Sequence, residues 1–218
     1  MKHVVVLLAR APSAKGKTRL TAHLPEDDAR ALRQRLFLDT LAAARAAGYP
    51  IIVSYTPEDA REEMRGLVGD LALVAQRGED LGARMTNAMS DAFANGAAAV
   101  VLIGSDLPTL PAAHIVHAFN LLEGVGFVTA VPDIVFGPTE DGGFYLVGAR
   151  SALPDIFRDV AWSRSDVLAR VTHAAHQAGL VVGFAPEWWD VDTPQDLSRW
   201  PAPVRFIPPD ASRRASSE

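Results

Sequence analysis

The chain has 218 residues, a formal net charge of −5 at pH 7 and no cysteine. This mildly acidic balance offers no cationic surface for a nucleic-acid backbone. The lack of cysteine excludes a disulfide framework, a thiolate nucleophile and a cysteine-based zinc site. No run of 18 apolar residues occurs, so we expect no membrane-spanning segment and, by default, a cytoplasmic location.

Strand-like and helix-like patterns alternate along the chain. Short apolar runs rich in β-branched residues are typical of buried strands, whereas apolar residues three or four positions apart indicate amphipathic helices. This alternation predicts an α/β fold with a mainly parallel sheet. The predicted strands are Val4–Ala9, Ile51–Tyr55, Leu71–Ala75, Ala98–Ile103, Gly126–Val131, Phe144–Val147 and Leu180–Phe184. The predicted helices start at Glu26, Thr56, Leu81, Pro111 and the Ser163–Asp166 capping box.

The domain organisation follows from the distribution of prolines. No linker-like stretch interrupts residues 1–200, so we expect a single domain there. Beyond Trp200 the sequence contains four prolines and then a Ser/Arg-rich end. Such a segment cannot bury enough apolar surface to order itself. We therefore expect residues 201–218 to be a loosely ordered tail.

A candidate site carboxylate follows the most apolar strand of the chain. The strand Ala98–Ile103 is followed by Gly104-Ser105, and the first charge after it is Asp106. Open α/β sheets bind ligands at the carboxyl ends of their strands, which makes Asp106 a candidate ligand-binding residue. The alternative is an ordinary turn, since aspartate is common in turns.

A basic loop, residues 9–20, follows the first predicted strand. Its small residues let backbone N–H groups approach an anion, and Lys15, Lys17 and Arg19 add positive charge. The chain has three lysines and eighteen arginines, so two lysines in one loop favour a role for a compact ammonium group. A solvated loop without a ligand is the alternative.

The basic loop is also close to a P-loop motif. Ala11 stands at the position of the first glycine, and Gly16-Lys17-Thr18 follow after four residues. Two features argue against a P-loop. Pro25 would end the helix after about two turns, and the Ala11 side chain would stand where the backbone must approach phosphate. A P-loop-like NTP-binding protein is therefore a minor alternative.

Two further carboxylates, Asp190 and Asp192, precede a predicted helix start at Thr193. In an extended segment, residues two apart face the same side, so both carboxylates can face one ion. Carboxylate oxygens suit Mg²⁺ or Mn²⁺, which proteins usually share with substrate phosphates. The alternative is that the two aspartates serve only the helix end, although Thr193 is itself the predicted cap.

Four segments of the chain, taken together, carry a resemblance to a known bacterial family. The segments are Arg10-Ala-Pro with Gly16-Lys-Thr-Arg-Leu20, Gly104-Ser-Asp-Leu-Pro108, Gly137-Pro-Thr-Glu-Asp-Gly-Gly-Phe-Tyr-Leu-Val-Gly148 and Asp190-Val-Asp-Thr193. With them the sequence resembles GT-A-type nucleotide-diphospho-sugar transferases, among them arsenosugar-biosynthesis-type glycosyltransferases, and the related 2-phospholactate and phosphoenolpyruvate guanylyltransferases. The resemblance implies a Rossmann-like GT-A fold, a nucleotide held by the basic loop, and Mg²⁺ or Mn²⁺ bound by Asp106 with Asp190 or Asp192. It also implies that Gln76 and Gly78 lie on the base side of the nucleotide.

The third of these segments bears on the acceptor. Asp141 could accept the proton of an acceptor hydroxyl if it lies within hydrogen-bond reach. Gly142 and Gly143 could let an acceptor approach the backbone. The alternative is an ordinary Asp-Gly turn before the strand Phe144–Val147.

We therefore expect a metal-dependent transferase that uses a nucleotide-activated donor and a small-molecule acceptor, with glycosyl transfer from a nucleotide-diphospho-sugar as the favoured reaction. The alternative is nucleotidylyl transfer, in which an NTP is joined to a small phosphorylated acid and pyrophosphate leaves. A regulatory nucleotide-binding module is a third possibility. The predicted catalytic residues are Asp106, Asp141 and Lys17. The predicted acceptor contacts are Asp141, Gly142 and Gly143, and the predicted metal ligands are Asp106, Asp190 and Asp192. The predicted nucleotide contacts are Ala9, Arg10, Ala11, Pro12, Lys15, Lys17, Arg19, Gln76, Gly78 and Asp106.

Overall fold

The computed structural model describes residues 2–126, 130–162 and 164–200, so the predicted tail 201–218 lies outside the described residues. Within these ranges the chain forms one sheet with helices on both faces, which confirms the predicted α/β fold. The strands are β1 (His3–Arg10), β2 (Ile51–Thr56), β3 (Ala72–Ala75), β4 (Ala99–Ile103), β5 (Ile134–Pro138), β6 (Phe144–Ala149) and β7 (Val182–Phe184). The helices are α1 (Thr18–Thr21), α2 (Glu26–Ala46), α3 (Arg61–Val68), α4 (Leu81–Ala94), α5 (Ala112–Leu122) and α6 (Val167–Gln177), with short 3-10 helices at Glu58–Ala60 and Asp196–Arg199.

The order of the strands across the sheet is β3-β2-β1-β4-β6-β5-β7. Neighbouring strands are parallel except at β6, which is antiparallel to both β4 and β5. The prediction of a mainly parallel sheet is therefore confirmed. Because β1, β4 and β5 run in the same direction, the segments that follow these strands begin at the same edge of the sheet. This is the edge at which open α/β sheets bind ligands.

Alternate residues of the central strands pack into different cores. In β1, Val5 and Leu7 contact the core that includes α2, α3 and α5, whereas Val4 and Val6 contact the core that includes α4 and α6. All five residues of β4 are buried. Because both faces of these strands are covered, their sequences are continuously apolar and do not alternate with polar residues.

Helix α2 supports the carboxyl edge of the sheet from one side. It begins with three acidic residues at its positive end, as predicted. Its buried face includes Leu36, Thr40 and Leu41, and Thr40 contacts the loop that follows β4. Although α2 spans 21 residues, no helix in the described ranges is both long and apolar enough to cross a bilayer.

The fifth strand lies later in the chain than predicted. Residues 127–129 of the predicted strand Gly126–Val131 lie outside the described residues, and Val131 is not in a strand. The strand in this part of the chain is β5, which pairs with β6 from Ile134 onwards. The two apolar runs on either side of Pro132 look alike in sequence, and among the described residues the run after Pro132 pairs with β6.

The two predicted helix caps also differ from the structure. Helix α6 begins at Val167, and Ser163 of the predicted capping box lies outside the described residues. Near the end of the described chain, the carboxylate of Asp196 accepts hydrogen bonds from the backbone nitrogen of Thr193 at 2.7 Å and from its hydroxyl at 2.8 Å. The prediction that Thr193 caps a helix is therefore wrong, because its hydroxyl donates to Asp196 ahead of a single 3-10 turn.

Candidate active site

The basic loop and the loop after β4 meet at the carboxyl edge of the sheet. Strands β1 and β4 are parallel neighbours, so the segments that follow them start side by side. The Nζ atom of Lys17 lies 3.0 Å from a carboxylate oxygen of Asp106 and 3.4 Å from one of Asp192. Its distance to Asp190 is 4.0 Å. The three aspartates, which we call the carboxylate cluster, thus surround one ammonium group.

Lys17 is held by its backbone conformation and by a buried hydrogen bond. Its φ of 54° is left-handed and turns the chain just before the one-turn helix α1. The side chain is only 15% exposed, and Nζ donates a 2.7 Å hydrogen bond to the carbonyl oxygen of Val191. Burial alone would lower the pKa of Lys17, but the carboxylate cluster outweighs this effect and raises that pKa. The amine therefore stays protonated at neutral pH.

Hydrogen bonds fix the backbone on both sides of Asp106. The buried hydroxyl of Thr40 accepts a 2.9 Å hydrogen bond from the backbone nitrogen of Leu107. The same hydroxyl lies 3.1 Å from the carbonyl oxygen of Ser105. The carbonyl oxygen of Asp106 accepts a 3.0 Å hydrogen bond from the backbone nitrogen of Val191. Asp106 is thus tied both to α2 and to the segment that carries the other two aspartates.

The carboxylate cluster carries more negative charge than its cationic neighbours neutralise. Asp192 pairs with Arg19, with 2.5 Å between Oδ2 and Nη2. Burial, together with the charges of the neighbouring carboxylates, raises the pKa of Asp190 to about 6. The positive charge of Lys17 opposes this rise only in part. Three carboxylates face two cations, Lys17 and Arg19, so the ionised cluster has an excess of one negative charge.

The donor atoms of the carboxylate cluster fit a hard divalent cation. Mg²⁺ and Mn²⁺ prefer carboxylate oxygens, and Mg²⁺ is commonly held by one or two carboxylates together with substrate phosphates. Among the described residues, no group of three or more His, Cys, Asp or Glu side chains is arranged to hold a metal ion by itself. The ammonium group of Lys17 lies between the carboxylates instead. In the part of the chain that the structure describes, the cluster therefore binds an ammonium group and holds no divalent cation by side chains alone.

Two adjoining cavities open beside the carboxylate cluster. One, which we call the basic cavity, has a volume of about 470 Å³ and includes four cationic side chains in its wall. The other, which we call the apolar cavity, has a volume of about 290 Å³ and is lined mainly by aliphatic and aromatic side chains. The cationic side chains of the basic cavity are Arg10, Lys17, Arg19 and Arg33, and the wall that both cavities share consists of Arg19, Leu81, Asp106 and Asp192.

Asp141 lies in the turn between β5 and β6 and lines the apolar cavity. Its Oδ1 atom accepts hydrogen bonds from the hydroxyl of Thr139 at 2.6 Å and from the backbone nitrogen of Gly143 at 3.1 Å. Its charge also contributes to the raised pKa of Asp190. The carboxylate thus combines the hydrogen bonds of a turn with a position beside the carboxylate cluster.

Gly142 packs closely against the segment that leads into α6. A Cβ atom at Gly142 would lie 1.9 Å from the carbonyl oxygen of Ser165, and φ is 85°. Its own carbonyl oxygen accepts a 2.9 Å hydrogen bond from the backbone nitrogen of Leu168 in α6. The missing side chain therefore makes room for the start of α6, and an acceptor contact of Gly142 stays a prediction. Gly143, in contrast, lines the apolar cavity as well as the turn.

The residues of the basic loop that were predicted to contact a nucleotide divide into two groups. The charged members other than Lys15 line the basic cavity, whereas the side chains of the small members are buried. Lys15 is exposed, and its carbonyl oxygen accepts a 3.3 Å hydrogen bond from the Arg10 side chain. The cavity-lining members are Arg10, Lys17 and Arg19, and the buried members are Ala9, Ala11 and Pro12.

Gln76 and Gly78, which were predicted to lie on the base side of a nucleotide, have contacts that stabilise the fold. The side-chain amide of Gln76 donates hydrogen bonds to the carbonyl oxygens of Ala9 at 3.0 Å and Ser54 at 2.8 Å. Gly78 has a φ of 132°, and a Cβ atom there would lie 2.8 Å from the backbone of Ala83. The hydrogen bonds of Gln76 join the ends of β1 and β2, and the close packing of Gly78 holds the loop after β3 against α4. A nucleotide contact of either residue stays a prediction.

Arg33 contributes to the site, although the sequence analysis did not select it. Its side chain is buried, and Nε donates a 2.8 Å hydrogen bond to the carbonyl oxygen of Pro12 in the basic loop. Its Nη2 atom also pairs with Glu26. A charge on the otherwise apolar face of a predicted helix is a signal that could have identified Arg33. Thr40 gives no comparable signal, because threonine is common on such faces.

The structure does not support the P-loop alternative. Helix α1 is a single turn, and α2 is a separate helix that begins after Pro25. In a P-loop the lysine is carried by the first turn of a long helix and reaches the phosphates of the nucleotide. Lys17 instead precedes a four-residue helix, and its ammonium group contacts Asp106 and Val191.

Comparisons with known proteins agree with this architecture. The sequence profile of the DUF2064 family, described as an uncharacterized protein conserved in bacteria, matches residues 38–164. A crystal structure from Desulfovibrio desulfuricans G20, provisionally described as a nucleotide-diphospho-sugar transferase, is 34% identical to this chain. The two structures superpose with a TM-score of 0.79 over 88% of this chain and 84% of that chain. No curated protein matches the sequence.

More distant structures share the fold. Rv0371c from Mycobacterium tuberculosis H37Rv, in a complex with manganese, is 21% identical, with a TM-score of 0.53 over 91% of this chain and 97% of that chain. A CMP:2-keto-3-deoxy-manno-octonic acid synthetase in a complex with CTP is 15% identical, with a TM-score of 0.53 over 91% and 96% of the two chains. The chain therefore belongs to the DUF2064 family and has a fold that nucleotide-using transferases also have.

Proposed function

We propose that this protein is a divalent-metal-dependent transferase that moves a glycosyl group from a nucleotide-diphospho-sugar to a small acceptor. The observation that carries the proposal is the position of Lys17 and the carboxylate cluster at the boundary between the basic and apolar cavities. A donor with its phosphates in the basic cavity would present its reactive end at this boundary. The provisional description of the 34% identical relative supports the same reaction class.

Lys17 and Arg19 are suited to bind the phosphates of the donor. Hydrogen bonds from charged donors to phosphate oxygens are about twice as strong as those between neutral groups. They strengthen further as the leaving diphosphate gains negative charge in the transition state. Because Lys17 stays protonated within the carboxylate cluster, it supplies this positive charge without a proton transfer.

Asp141 is suited to act as the general base for the acceptor. In the proposed reaction the acceptor oxygen forms a bond to the anomeric carbon of the sugar, and Asp141 accepts the hydroxyl proton. The bond between the anomeric carbon and the diphosphate oxygen breaks, and the nucleoside diphosphate leaves with the electron pair of that bond. The position of Asp141 in the wall of the apolar cavity supports this role.

Asp106, Asp190 and Asp192 are the residues that would hold Mg²⁺ or Mn²⁺, in exchange for their contacts with Lys17 and Arg19. When bound, such a cation neutralises negative charge on a leaving diphosphate. Asp106→Asn keeps the shape of the side chain and removes its charge. We expect nucleotide binding by this variant to lose its dependence on Mg²⁺ in calorimetric titrations with and without the metal. An unchanged metal requirement would assign Asp106 a structural role only.

A second candidate function is nucleotidylyl transfer, which the four cationic side chains of the basic cavity favour. A triphosphate carries more negative charge than a diphosphate-linked sugar and would use these groups more fully. In this reaction an oxygen of a phosphorylated acid attacks the α-phosphorus of an NTP. The bond from the α-phosphorus to the bridging oxygen breaks, and pyrophosphate leaves with the electron pair.

The leaving group distinguishes the two reactions. The purified protein and Mg²⁺ are incubated with nucleotide-diphospho-sugars or with NTPs, each in the presence of pooled small alcohols and phosphorylated acids. Acceptor-dependent release of nucleoside diphosphate is the result that we expect. Acceptor-dependent release of pyrophosphate from an NTP would contradict glycosyl transfer and support the second candidate.

Asp141→Asn tests the role of the general base. A sugar acceptor must lose its hydroxyl proton, so we expect turnover to fall about 10²-fold or more, with little change in nucleotide affinity. Glu140→Gln is the matched control, because the neighbouring carboxylate is exposed and pairs with Arg199 at 2.7 Å. A phosphate or carboxylate nucleophile is already ionised and needs no base. Undiminished turnover of Asp141→Asn together with pyrophosphate release would overturn the assignment of glycosyl transfer.

A further inference from the structure

The apolar cavity differs in chemistry from the basic cavity beside it. Its wall contains aliphatic and aromatic side chains from β1, α4, β4, β6 and the start of α6, together with the carboxylate cluster, Arg19, Thr139, Asp141 and Arg164. Phe144 contributes a ring that packs edge-on against Trp162, with 6.3 Å between the ring centroids. The apolar part of the wall includes Leu8, Leu81, Met85, Leu102, Phe144 and Trp162.

Several polar side chains of this cavity already have hydrogen-bond partners within the protein. Thr139 donates its hydroxyl hydrogen to Asp141 at 2.6 Å. The guanidinium group of Arg164 donates from Nε to Asp166 at 3.1 Å. Asp106 and Asp192 lie in the wall shared with the basic cavity, whereas Asp190 lines the apolar cavity alone. The cavity therefore combines charged groups around Asp106 and Asp141 with an apolar part of its wall.

We propose that this cavity selects an acceptor alcohol with an apolar body, either aromatic or branched aliphatic, whose hydroxyl lies at the Asp141 end. The proposal rests on the proposed glycosyl transfer and specifies its acceptor class. Apolar side chains stabilise an apolar body by removing its surface from water. A sugar or another polyol would instead leave several hydroxyl groups facing Leu8, Met85 and Leu102 without hydrogen-bond partners.

The size of the cavity agrees with an acceptor of this class. Ligand sites of small molecules are typically concave, mostly apolar and about 300 Å³ or larger, with a few polar groups that fix the orientation of the ligand. The apolar cavity, at about 290 Å³, lies at the lower end of that range. It can hold the body of a single-ring or branched-chain alcohol, whereas the nucleotide of the donor requires the basic cavity.

A pair of probe ligands tests the proposal directly. Benzyl alcohol represents the apolar class and myo-inositol represents the polyol class, and both are six-membered-ring compounds. Saturation-transfer NMR is recorded for each probe with the full-length protein, in the presence of Mg²⁺ and UDP. We expect a saturation-transfer signal for benzyl alcohol and no detectable signal for myo-inositol. A stronger signal for myo-inositol than for benzyl alcohol would overturn the proposal.

Variants locate the probe within the cavity. Leu81→Asn places an amide in the shared wall at a position that is 41% exposed, so the fold should tolerate it. We expect the affinity for benzyl alcohol to fall about fivefold or more, the factor that corresponds to one poorly satisfied polar group. Val74→Thr, at a 37% exposed position on the edge strand β3, is the matched control and should leave the affinity unchanged. Met85→Gln, which is nearly isosteric, repeats the test deeper in the wall.

Binding of nucleotide to the same samples separates this proposal from the proposed function. Thermal-shift measurements with UDP, CDP and GDP and Mg²⁺ report on the basic cavity, because a ligand of the folded form raises its stability. If a nucleotide binds but benzyl alcohol does not, the acceptor class is wrong and nucleotide use stands. If benzyl alcohol binds equally well to both wall variants, the apolar cavity is not its site and the proposal fails. If no nucleotide binds, the proposed function fails, whatever the two probes do.

Discussion

The hydroxyl of Thr40, within the buried face of α2, lies 2.9 Å from the backbone nitrogen of Leu107 and accepts its hydrogen bond. The same oxygen lies 3.1 Å from the carbonyl oxygen of Ser105 and 2.9 Å from that of Leu36. The two residues that flank Asp106 in the chain are therefore both attached to one side chain. The place of Asp106 beside Lys17 is set by this contact from the core as well as by charge.

Removal of the Thr40 hydroxyl should disturb the site from within the core. Thr40→Val keeps the shape of the side chain but leaves the backbone nitrogen of Leu107 without its partner. We expect the free energy of unfolding to fall by about 1–3 kcal/mol, the scale for an unsatisfied buried group, with weaker Mg²⁺-dependent nucleotide binding. Urea unfolding and calorimetric titration measure these effects. Thr40→Ser keeps the hydroxyl, so we expect it to retain the wild-type free energy of unfolding and nucleotide binding. Equal losses in the two variants would show that packing of the side chain matters more than its hydroxyl.

The charge of Lys17 should matter more for nucleotides with longer phosphate chains. Lys17→Met keeps most of the length of the side chain and removes the ammonium group, which is the charge that we expect to face phosphate. The affinity loss should therefore increase from nucleoside monophosphate to diphosphate to triphosphate in calorimetric titrations. Lys15→Met, in the same loop but at an exposed position, is the matched control. Equal losses for the three nucleotides would indicate that Lys17 only maintains the fold of the loop.

The raised pKa of Asp190 predicts a specific dependence of stability on pH. The folded protein holds this carboxyl with a pKa of about 6, against an ordinary value of 3.8, so between these values it binds more protons than the unfolded chain. The resulting stabilisation is fully present below about pH 4 and is lost as the pH rises through 6. Urea unfolding in buffers with a metal chelator should show a smaller decrease of stability over this interval for Asp190→Asn than for the wild type. Parallel pH profiles of the two proteins would contradict the raised pKa.

Arg33 should stabilise the protein through the basic loop. Its side chain is 9% exposed and bonds the Pro12 carbonyl oxygen at 2.8 Å. Arg33→Met should lower the free energy of unfolding by about 1.5–3 kcal/mol, since hydrogen bonds to charged groups contribute on that scale. Glu26→Gln removes only the partner carboxylate, whose side chain is 65% exposed, and should cost less than about 1 kcal/mol. If both variants lost the same stability, the ion pair and not the loop contact would account for the effect.

The sequence was sufficient to predict the central strands β1 and β4, which are apolar runs bounded by turn residues. The structure places β1 and β4 within one residue of their predicted ends. It also places Lys17 beside Asp106, because two parallel neighbours deliver their following loops to one edge. The remaining members of the carboxylate cluster were predicted from their spacing, and the structure brings them to the same ammonium group.

Other features depend on contacts between distant segments, which local patterns do not contain. Strand β5 is defined by its pairing with β6, and its residues alone do not distinguish it from the preceding apolar run. The role of Thr40 requires the contact of α2 with the loop after β4. The hydrogen bonds from Thr193 to Asp196 precede a short 3-10 turn, whose length the sequence pattern does not fix.

The close approach of Gly142 to the backbone of Ser165 has a consequence for substrate selection. With 1.9 Å between a hypothetical Cβ and the Ser165 carbonyl oxygen, and with the hydrogen bond from Leu168, the Asp141 turn and the start of α6 form one block. The backbone of the Asp141 turn is then held at a fixed distance from the start of α6 by main-chain atoms. In the proposed reaction, an acceptor would therefore meet a wall that does not widen between this turn and α6.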